Sequence, residues 1–404
     1  QALTADGRVH LAIATNVYTA AWGKININGV CYYTVPQPKK KIDAHNIPAN
    51  LIADYQRVVA DFQPDIMHIH GTEYFHGLLS GNKHLCVPTV ISIQGIIEIC
   101  AQHYLEGLPM SALLLKRTLR DWVRMDGLLE QQLSWRRRIA CERKIFAENQ
   151  TFIGRTQWDR AHVQKLNPQA RYYHCDEMIR KPFHDGHWDI CKINRHSIFA
   201  SSASYPLKGF HVLVKAVAIL RNEFPDIIIR TPLANLYPTL TGSRRFWKNC
   251  RVGGYARYLN DLIRAEGLEK CIFPLPNLDA ARMAREFSMA HVFVLASFIE
   301  NSPNSLAEAM LIGTPSVASF TGGIPSMVRE NETALLFPPG DEAALAAQIR
   351  RVFLDDQLAS DLSSNAREIS RVRHFEDKII NNLITIYKKE ISLANINSLA
   401  SKNI

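Results

Sequence analysis

Two carboxylates eight residues apart, Glu300 and Glu308, lie on either side of a polar loop that follows an apolar run. Four residues of this loop are of types that begin helices: Ser302, Pro303, Asn304 and Ser305. They predict a helix N-terminus near residue 304. Its unpaired backbone N–H groups and the helix dipole favour a bound phosphate, and carboxylates accept hydrogen bonds from several hydroxyls. This stretch could therefore hold the phosphates and the sugar of one nucleotide sugar together.

A lysine and a glycine-rich turn are predicted to belong to the same site. Lys208 stands between a predicted strand and a predicted helix, where it can reach a pyrophosphate as a point charge and stabilise a leaving group. Gly322 and Gly323 follow a predicted strand at residues 315–319. Ligands in open α/β sheets bind at the carboxyl ends of strands, which is where both segments are predicted to lie.

The elements that must position these residues alternate along the whole chain. Alternating apolar runs and helical stretches predict an α/β fold, with parallel sheets covered by helices on both faces. The predicted strands are residues 9–14, 27–34, 66–70, 89–93 and 152–153 in the first half, and 197–201, 227–230, 271–274, 291–296 and 315–319 in the second. The predicted helices include residues 155–166, 209–223, 342–354 with Asp341 as its cap, and 375–389.

A chain of 404 residues should form two domains, because a single hydrophobic core stops growing at ~250–300 residues. We predict one domain over residues 1–180, a linker over 181–195, a second domain over 196–373 and a C-terminal helix over 374–404. Residues 1–7 have the pattern of a helix end with a glycine stop. We therefore expect the first domain to be truncated at its start, the alternative being a domain that begins on a helix.

The composition is that of an ordinary soluble globular protein, with 47% hydrophobic and 21% charged residues. Eight scattered cysteines without a C-x-x-C pair predict reduced thiols in the cytoplasm, not a disulfide framework or a zinc site. No run of eighteen apolar residues is present, so no membrane-spanning helix is expected.

The net charge of +9 is concentrated between residues 113 and 144. In this segment apolar residues at positions 114, 115, 119, 122 and 123 have helical spacing, with lysine and arginine between them. A basic amphipathic helix of this kind can lie on an anionic membrane surface. The alternative is a helix that packs its apolar face on the protein's own core. A nucleic-acid partner is not expected, because no recognition motif accompanies the charge.

Several of these features occur together in a known order. The Glu300-x7-Glu308 pair, the Gly322-Gly323-Ile324-Pro325 turn, Lys208-Gly209 and the Leu335–Asp341 segment resemble the family-4 retaining glycosyltransferases of GT-B fold. The resemblance covers about residues 196–390. It implies two doubly wound, Rossmann-like domains that face each other across a cleft, with the acceptor on the first domain and the nucleotide sugar on the second.

The resemblance also implies roles for individual residues. Glu300 would contact the donor hexose, Glu308 the ribose hydroxyls and Lys208 the pyrophosphate, with Glu300 and Lys208 as the catalytic pair. The backbone of Asn301 to Leu306, which includes Ser302, Pro303, Asn304 and Ser305, would line the sugar and the phosphates, and Pro276 would lie beside the base. The family usually has an arginine several residues before the lysine, but residues 201–204 contain none.

On the acceptor side, His70 and Gln94 are the candidate residues, each at the end of a predicted strand. Related enzymes often have a histidine at the position of Gln94. A glutamine can hydrogen-bond a sugar hydroxyl but cannot act as a general base near neutral pH. We assign His68 and His70 to opposite phases of their strand and expect at most one of them to face a ligand.

These features predict a metal-independent hexosyltransferase that uses a UDP- or GDP-hexose and a glycan or lipid-linked sugar acceptor, in surface polysaccharide synthesis. No cofactor is expected, and no Asp-x-Asp pair is present to hold a metal. The protein would be cytoplasmic, and peripheral on the inner face of the membrane if the basic segment docks there. The alternatives are a nucleotide-sugar epimerase on the same fold and a non-catalytic nucleotide-sugar-binding module. A dinucleotide-dependent oxidoreductase is disfavoured, because no G-x-G-x-x-G follows a strand.

Overall fold

A computed structural model describes residues 2–18, 21–37, 42, 44, 46–81, 84–233, 236–237 and 239–402, with the side chains of residues 245 and 397–402 left out. Two compact units make up the chain. The first comprises Gln1–Glu98, Arg137–Met178 and Phe375–Ile404, and the second comprises Ile99–Arg136 and Ile179–His374.

Thirteen strands and seventeen α-helices are defined within these residues. The strands are β1 Ala12–Val17, β2 Gly23–Ile27, β3 Val30–Pro36, β4 Met67–His70, β5 Thr89–Ser92, β6 Thr151–Gly154, β7 Arg171–His174, β8 Asn194–Phe199, β9 Ile228–Thr231, β10 Ile272–Pro274, β11 Ala290–Leu295, β12 Ser316–Ser319 and β13 Leu335–Phe337. The helices are α1 Ala2–Asp6, α2 Ala49–Phe62, α3 His76–Gly81, α4 Ile97–His103, α5 Met110–Leu115, α6 Leu119–Arg124, α7 Leu128–Glu148, α8 Gln157–Leu166, α9 Lys181–Asp185, α10 Phe210–Leu220, α11 Gly242–Arg251, α12 Gly254–Ala265, α13 Ala280–Met289, α14 Asn304–Ile312, α15 Glu342–Leu354, α16 Asp356–Arg373 and α17 Glu376–Lys402.

The first unit contains two sheets. A four-stranded parallel sheet has the order β4-β5-β6-β7, and a smaller sheet has the order β1-β3-β2, in which β2 and β3 form an antiparallel hairpin. The C-terminal helix α17 belongs to this unit, where Ile379, Leu383 and Ile386 join a core cluster with Val90 and Ile153 of the parallel sheet. The tail is thus held by apolar burial, which is the main source of helix stability in proteins.

The second unit is built on a six-stranded, wholly parallel sheet of order β10-β9-β8-β11-β12-β13. All residues of β11 and β12 are buried, as expected of strands that are covered by helices on both faces. The order runs outward from β8 in one direction and from β11 in the other. Such a reversal is the usual ligand-binding point of an open α/β sheet.

Local signals placed several elements correctly. The helix predicted to begin near residue 304 is α14, and the one predicted at residues 342–354 is α15, with the Asp341 side chain accepting a hydrogen bond from the Ala344 N–H as its cap. The strand predicted at residues 9–14 is shifted and forms Ala12–Val17. Within residues 181–195, the predicted linker, lie α9 and two buried rings, Phe183 and Trp188, all in the second unit.

The single amphipathic helix predicted in the basic segment is wrong. Thr118 and Asp121 form a reciprocal capping box that starts α6 anew, and Met125 ends it in a left-handed conformation, with φ of 52°. The apolar side chains do not pack on the core either, because Leu114, Leu115, Leu119, Trp122 and Val123 are each 60–78% exposed. The segment therefore consists of short helices, α5 and α6, followed by α7.

Candidate functional site

Three loops meet at one edge of the six-stranded sheet in the second unit. They follow β8, β11 and β12, which are neighbours in the sheet and run parallel, so their carboxyl ends lie together. Hydrogen bonds connect the loops: the Phe298 N–H donates to the Leu207 carbonyl oxygen over 2.9 Å, and the Thr321 hydroxyl donates to the Phe298 carbonyl oxygen over 2.8 Å. The sheet order thus brings together segments that are distant in the sequence, such as those of Leu207 and Phe298.

Two glycines allow the backbones of these loops to approach closely. Gly209 has φ of 64°, and a Cβ there would lie 1.9 Å from the Ala296 carbonyl oxygen. Gly322 has φ of 52°, and a Cβ there would lie 1.9 Å from the Glu300 carbonyl oxygen. Only glycine combines a positive φ with the absence of a side chain, so both positions require it.

Lys208 and Glu300 form an ion pair at this edge. The Lys208 Nζ lies 2.5 Å from the Glu300 Oε1, and the Ser297 hydroxyl donates to the same oxygen over 2.7 Å. The side chains are only 20% and 12% exposed, respectively. The structure thus brings together the two residues to which the sequence assigned catalysis.

The charge of Lys208 is stabilised by its surroundings. Burial alone would lower the pKa of its ammonium, but the Glu300 carboxylate and then Tyr205 outweigh that effect and raise the pKa above its ordinary value. The ammonium also lies 5.7 Å from the centre of the Tyr205 ring. Lys208 is therefore a fixed positive charge at neutral pH, which suits the recognition of an anionic group such as a phosphate.

The loop after β11 leads directly into the N-terminus of α14. Pro303 is the N-cap residue, and no side-chain hydrogen bond caps the helix there. Asn301, Pro303 and Leu306 are buried, Ser302 and Ser305 are half-buried, and Asn304 is exposed. This helix start follows Glu300 closely in the sequence, and such termini favour anions through their N–H groups and dipole.

Glu308 lies one turn into α14 and is buried. Its Oε1 accepts a hydrogen bond from the Arg180 Nη2 over 2.8 Å. Burial raises the pKa of the Glu308 carboxyl, while Arg180 acts in the opposite direction. A carboxylate held in this way keeps acceptor capacity on its second oxygen for a hydroxyl group.

Pro276 is not brought to the Lys208–Glu300 pair by an adjacent strand. It is exposed and follows β10, the edge strand of the sheet, and β9 separates β10 from β8. It does lie at the same carboxyl edge, because all the strands of this sheet are parallel.

The acceptor-side candidates belong to the first unit. Gln94 is exposed, and its side-chain oxygen accepts a hydrogen bond from the Arg155 Nη2 over 3.0 Å. Arg155 is buried, donates also to the Ile93 carbonyl oxygen over 3.2 Å and forms an ion pair with Glu177. The amide of Gln94 is thereby oriented with its N–H₂ group available as a donor.

The assignment of His68 and His70 to opposite phases of a strand is wrong. Side chains alternate with a period of two, so residues i and i+2 lie on the same face. The two imidazole rings are stacked with centroids 4.2 Å apart. His68 contacts the Tyr387 and Ser92 hydroxyls over 2.6 Å each, and burial, followed by the effect of His70, lowers its pKa to about 3. His70, at the end of β4, is the exposed member of the stack.

Four residues that contact the candidates were not identified from the sequence: Ser297, Tyr205, Arg180 and Arg155. Ser297 and Tyr205 stand within three residues of Glu300 and Lys208, so proximity in sequence could have indicated them. Arg180 and Arg155 are distant from their partners in sequence, and no local pattern marks them.

Two kinds of feature are absent from the part of the chain that is described. In those residues no group of three or more His, Cys, Asp or Glu side chains could hold a metal ion. No helix in the described ranges combines the length and apolarity needed to cross a membrane.

Comparison with known proteins relates residues 194–369, most of the second unit, to one family. A family model described as "Glycosyl transferases group 1" matches residues 194–369. The D-inositol 3-phosphate glycosyltransferase of Arthrobacter sp. (strain FB24) is 32% identical over 161 residues, which is 40% of this chain and 34% of that protein. The match therefore spans about a third of the length of such curated relatives.

Solved structures resemble the chain over most of its length. Sucrose-phosphate synthase from Thermosynechococcus elongatus superposes with a TM-score of 0.69 at 17% identity, covering 97% of this chain and 91% of that one. Anabaena HepE in complex with UDP-glucose gives a TM-score of 0.61 at 17% identity, covering 85% and 84%. At this identity the likeness shows the fold, which is the α/β GT-B fold of two Rossmann-like units. Residues 194–369 thus match the glycosyl transferases group 1 family, within a chain of GT-B fold.

Proposed function

We propose that the protein is a retaining glycosyltransferase that moves a hexose from a UDP- or GDP-sugar to a glycan or lipid-linked sugar. The observation that carries this proposal is the Lys208–Glu300 ion pair, whose side chains are only 20% and 12% exposed. Glu300 stands four residues before the start of α14, at the carboxyl edge of the sheet. The family of residues 194–369 and the UDP-glucose in the structure of Anabaena HepE support a nucleotide-sugar donor.

Each charge of the pair has its own part in donor binding. The Lys208 ammonium would move from Glu300 to the diphosphate, whose remaining charge would meet the backbone N–H groups of residues 301–306 at the start of α14. Glu300, released from Lys208, would accept hydrogen bonds from hexose hydroxyls. Glu308 would accept from the ribose hydroxyls, and Pro276 would lie beside the base.

The chemical step is a substitution at the anomeric carbon with retention of configuration. The bond between that carbon and the diphosphate oxygen breaks, and the oxygen of the acceptor hydroxyl forms the new bond. The acceptor proton passes to the departing phosphate, and nothing is oxidised or reduced. Lys208 and the N-terminus of α14 stabilise the negative charge that develops on the leaving group, which is the largest kind of catalytic contribution in such sites.

The acceptor side uses residues that bind and do not take a proton. Gln94, oriented by Arg155, would donate a hydrogen bond to an acceptor hydroxyl, and His70 would offer a second contact. An amide cannot serve as a general base, and we assign the acceptor proton to the donor phosphate. We extend the proposal to metal-independent transfer, in the cytoplasm, as a step in surface polysaccharide synthesis.

A binding and product assay tests the proposal. UDP-, GDP- and ADP-hexoses are screened for protection against thermal unfolding, because a ligand that binds only the folded state raises the melting temperature. We expect one nucleotide class to protect the wild type and Lys215→Ala, a matched lysine change outside the site, but to protect Lys208→Ala much less.

Incubation of the protecting donor with and without acceptor then identifies the reaction. The proposal requires a glycosylated product that forms only with acceptor. Conversion of the donor alone would indicate an epimerase, and protection without any conversion would indicate a binding module. Equal protection of Lys208→Ala and the wild type would contradict the donor site itself.

A further inference from the structure

Large apolar side chains are exposed on three short helices of the second unit, α5, α6 and α11. On α5 these are Leu114 and Leu115, on α6 Leu119, Trp122 and Val123, and on α11 Phe246 and Trp247. We call the exposed faces of these three helices the apolar surface. Helix α11 packs against α6, and α5 precedes α6 with only residues 116–118 between them.

In helix α6 the acidic side chain is buried and the apolar side chains are exposed, which is the reverse of the usual arrangement. Its acidic residue, Asp121, is fully buried in the capping box with Thr118, whereas its three apolar side chains are 60–78% exposed. Leu119, Trp122 and Val123 have the i, i+3, i+4 spacing that places side chains on one helix face. A helix in water normally turns its apolar face inward. The apolar face of α6 is therefore turned outward.

Helix α11 repeats the pattern with aromatic rings. Phe246 and Trp247 are exposed and contact each other edge to face, with centroids 5.7 Å apart. The helix is held in place by Asn249, whose side-chain oxygen accepts a hydrogen bond from the Tyr237 hydroxyl over 2.6 Å. The rings are thus exposed on a helix that a side-chain hydrogen bond anchors to the rest of the unit.

Positive charges accompany the apolar side chains. Two of the arginines are neutralised: Arg117 pairs with Glu130 and stacks over the Trp122 ring at 3.8 Å, and Arg120 pairs with Asp126. Others are exposed and have no acidic partner among the described side chains: Arg124 on α6, and Arg244, Lys248 and Arg251 on α11. The unpaired charge at the apolar surface is therefore positive.

We infer that the apolar surface docks on an anionic phospholipid bilayer. Leucine, valine and phenylalanine side chains would enter the boundary between head groups and acyl chains, where tryptophan is also favoured. The unpaired arginine and lysine side chains would meet the lipid phosphates, whose charge is complementary. A protein partner would equally cover apolar side chains, but the four unpaired cations on the same helices fit a uniformly anionic sheet. This docking does not depend on the sugar chemistry proposed above.

Vesicle flotation with the full chain tests this inference. Vesicles of phosphatidylcholine alone are compared with vesicles that also contain phosphatidylglycerol, at low and high salt. The apolar variant carries Leu119→Ser, Trp122→Ser and Val123→Ser, and the charge variant carries Arg244→Ser and Lys248→Ser. The control variant carries Ile219→Ser and Val372→Ser, two exposed apolar positions of the same unit outside the surface.

We expect the wild type and the control to float with anionic vesicles and to be released by salt, because exposed charges are screened. The apolar variant should lose at least tenfold in bound fraction, and the charge variant should lose its preference for phosphatidylglycerol. Quenching of Trp122 and Trp247 fluorescence by brominated lipids checks wild-type docking without any substitution, with Trp122→Phe and Trp247→Phe assigning the signal.

Three outcomes would overturn the inference. They are wild-type protein that does not float, flotation that the apolar variant retains in full, and tryptophan fluorescence that brominated lipids do not quench. Dimerisation of the wild type that the apolar variant abolishes, without flotation, would assign the surface to a second copy of the chain.

Discussion

Lys208 and Glu300 hold opposite charges 2.5 Å apart, and glycosyl transfer has a separate use for each charge. The carboxylate keeps the lysine protonated despite its burial, and the Ser297 hydroxyl orients the carboxylate. In the proposed function the donor exchanges this ion pair for two new contacts. Such an exchange would put the lysine charge where the leaving group develops its own.

Glu308 allows a prediction about donor binding alone. Glu308→Gln should raise the KM for the nucleotide sugar ~10-fold to 100-fold, because a hydrogen bond to a charged group contributes about 1.5–3 kcal/mol. The kcat should change much less, since ribose contacts are equal in the ground state and the transition state. Steady-state kinetics with the donor varied provides the measurement.

Arg180→Ala is the matched control for that change. It removes the partner of Glu308 but leaves the carboxylate, so it should raise the KM less than Glu308→Gln. An unchanged KM in Glu308→Gln would show that Glu308 does not contact the donor.

At the residue scale, the sequence indicated the residue types at the site but not all of their partners. Glu300, Glu308 and Lys208 follow from spacing and from the turns around them. The pairing of Arg180 with Glu308 spans 128 residues and depends on tertiary packing, which no local pattern reports. The error at His68 and His70 was a wrong count of strand period, which the strand rule itself would have corrected.

The loop that joins β8 to α10 depends on one glycine, Gly209, for its conformation. Gly209→Ala should destabilise the protein by more than about 2 kcal/mol, because the added Cβ meets the Ala296 carbonyl oxygen in addition to the cost of a positive φ. Activity should fall as well, since Lys208 is the preceding residue. Urea unfolding measures the change.

Gly242→Ala is the control for the backbone conformation alone. Gly242 has φ of 57°, but an added Cβ there meets nothing within 4 Å. This variant should lose only about 1 kcal/mol. Equal losses in the two variants would mean that the close approach of the loops contributes nothing.

At the element scale, capping residues were informative where they stood at an expected boundary and were missed elsewhere. Asp341 was identified as the cap of α15, and the structure confirms it. The same kind of signal at Thr118 and Asp121 was overlooked because the apolar spacing across it looked continuous. A capping box inside a periodic stretch is therefore better taken as a helix start.

The whole molecule should be sensitive to acid because it buries neutral imidazoles. Burial, and then Lys215, lowers the pKa of His211 from 6.5 to about 3. Below pH 6.5 the unfolded chain binds a proton at this residue that the folded protein does not. The free energy of unfolding therefore decreases as the pH falls toward 3. One such group makes the free energy of unfolding fall by about 1.4 kcal/mol for each pH unit.

In His211→Gln the free energy of unfolding should fall less steeply with decreasing pH, by about 1.4 kcal/mol per pH unit between about pH 6 and pH 4. Urea unfolding of both proteins across this range provides the comparison. The variant's stability at neutral pH serves as the reference, because the imidazole is neutral there in both states. Parallel curves for the two proteins would mean that His211 becomes protonated without unfolding.

Catalysis by the whole protein should survive a strong chelator. Charge neutralisation is assigned to Lys208 and the start of α14, and the sequence has no Asp-x-Asp pair. We expect the turnover with EDTA to match that without it. Loss of activity that magnesium or manganese restores would contradict this expectation.

At the scale of the whole chain, the two-unit α/β architecture was predictable because alternating strands and helices have few topological solutions. The membership of residues 99–136 in the second unit was not, because it depends on distant contacts such as the Lys116–Asp261 ion pair at 2.7 Å. Likewise, the spacing of apolar residues indicated that the basic segment between residues 113 and 144 is amphipathic. Only the structure shows that its apolar side chains are exposed.

Turnover of Glu300→Gln and Lys208→Ala with an identified donor and acceptor tests the central claim most directly. Each change removes a charge aimed at the reacting centre, so each should lower turnover by at least ~10²-fold while the protein remains folded. Glu223→Gln and Lys215→Ala, which alter exposed ion pairs of the same unit, should retain wild-type turnover. Near-normal turnover in either site variant would contradict the assignment of Lys208 and Glu300 as the catalytic pair.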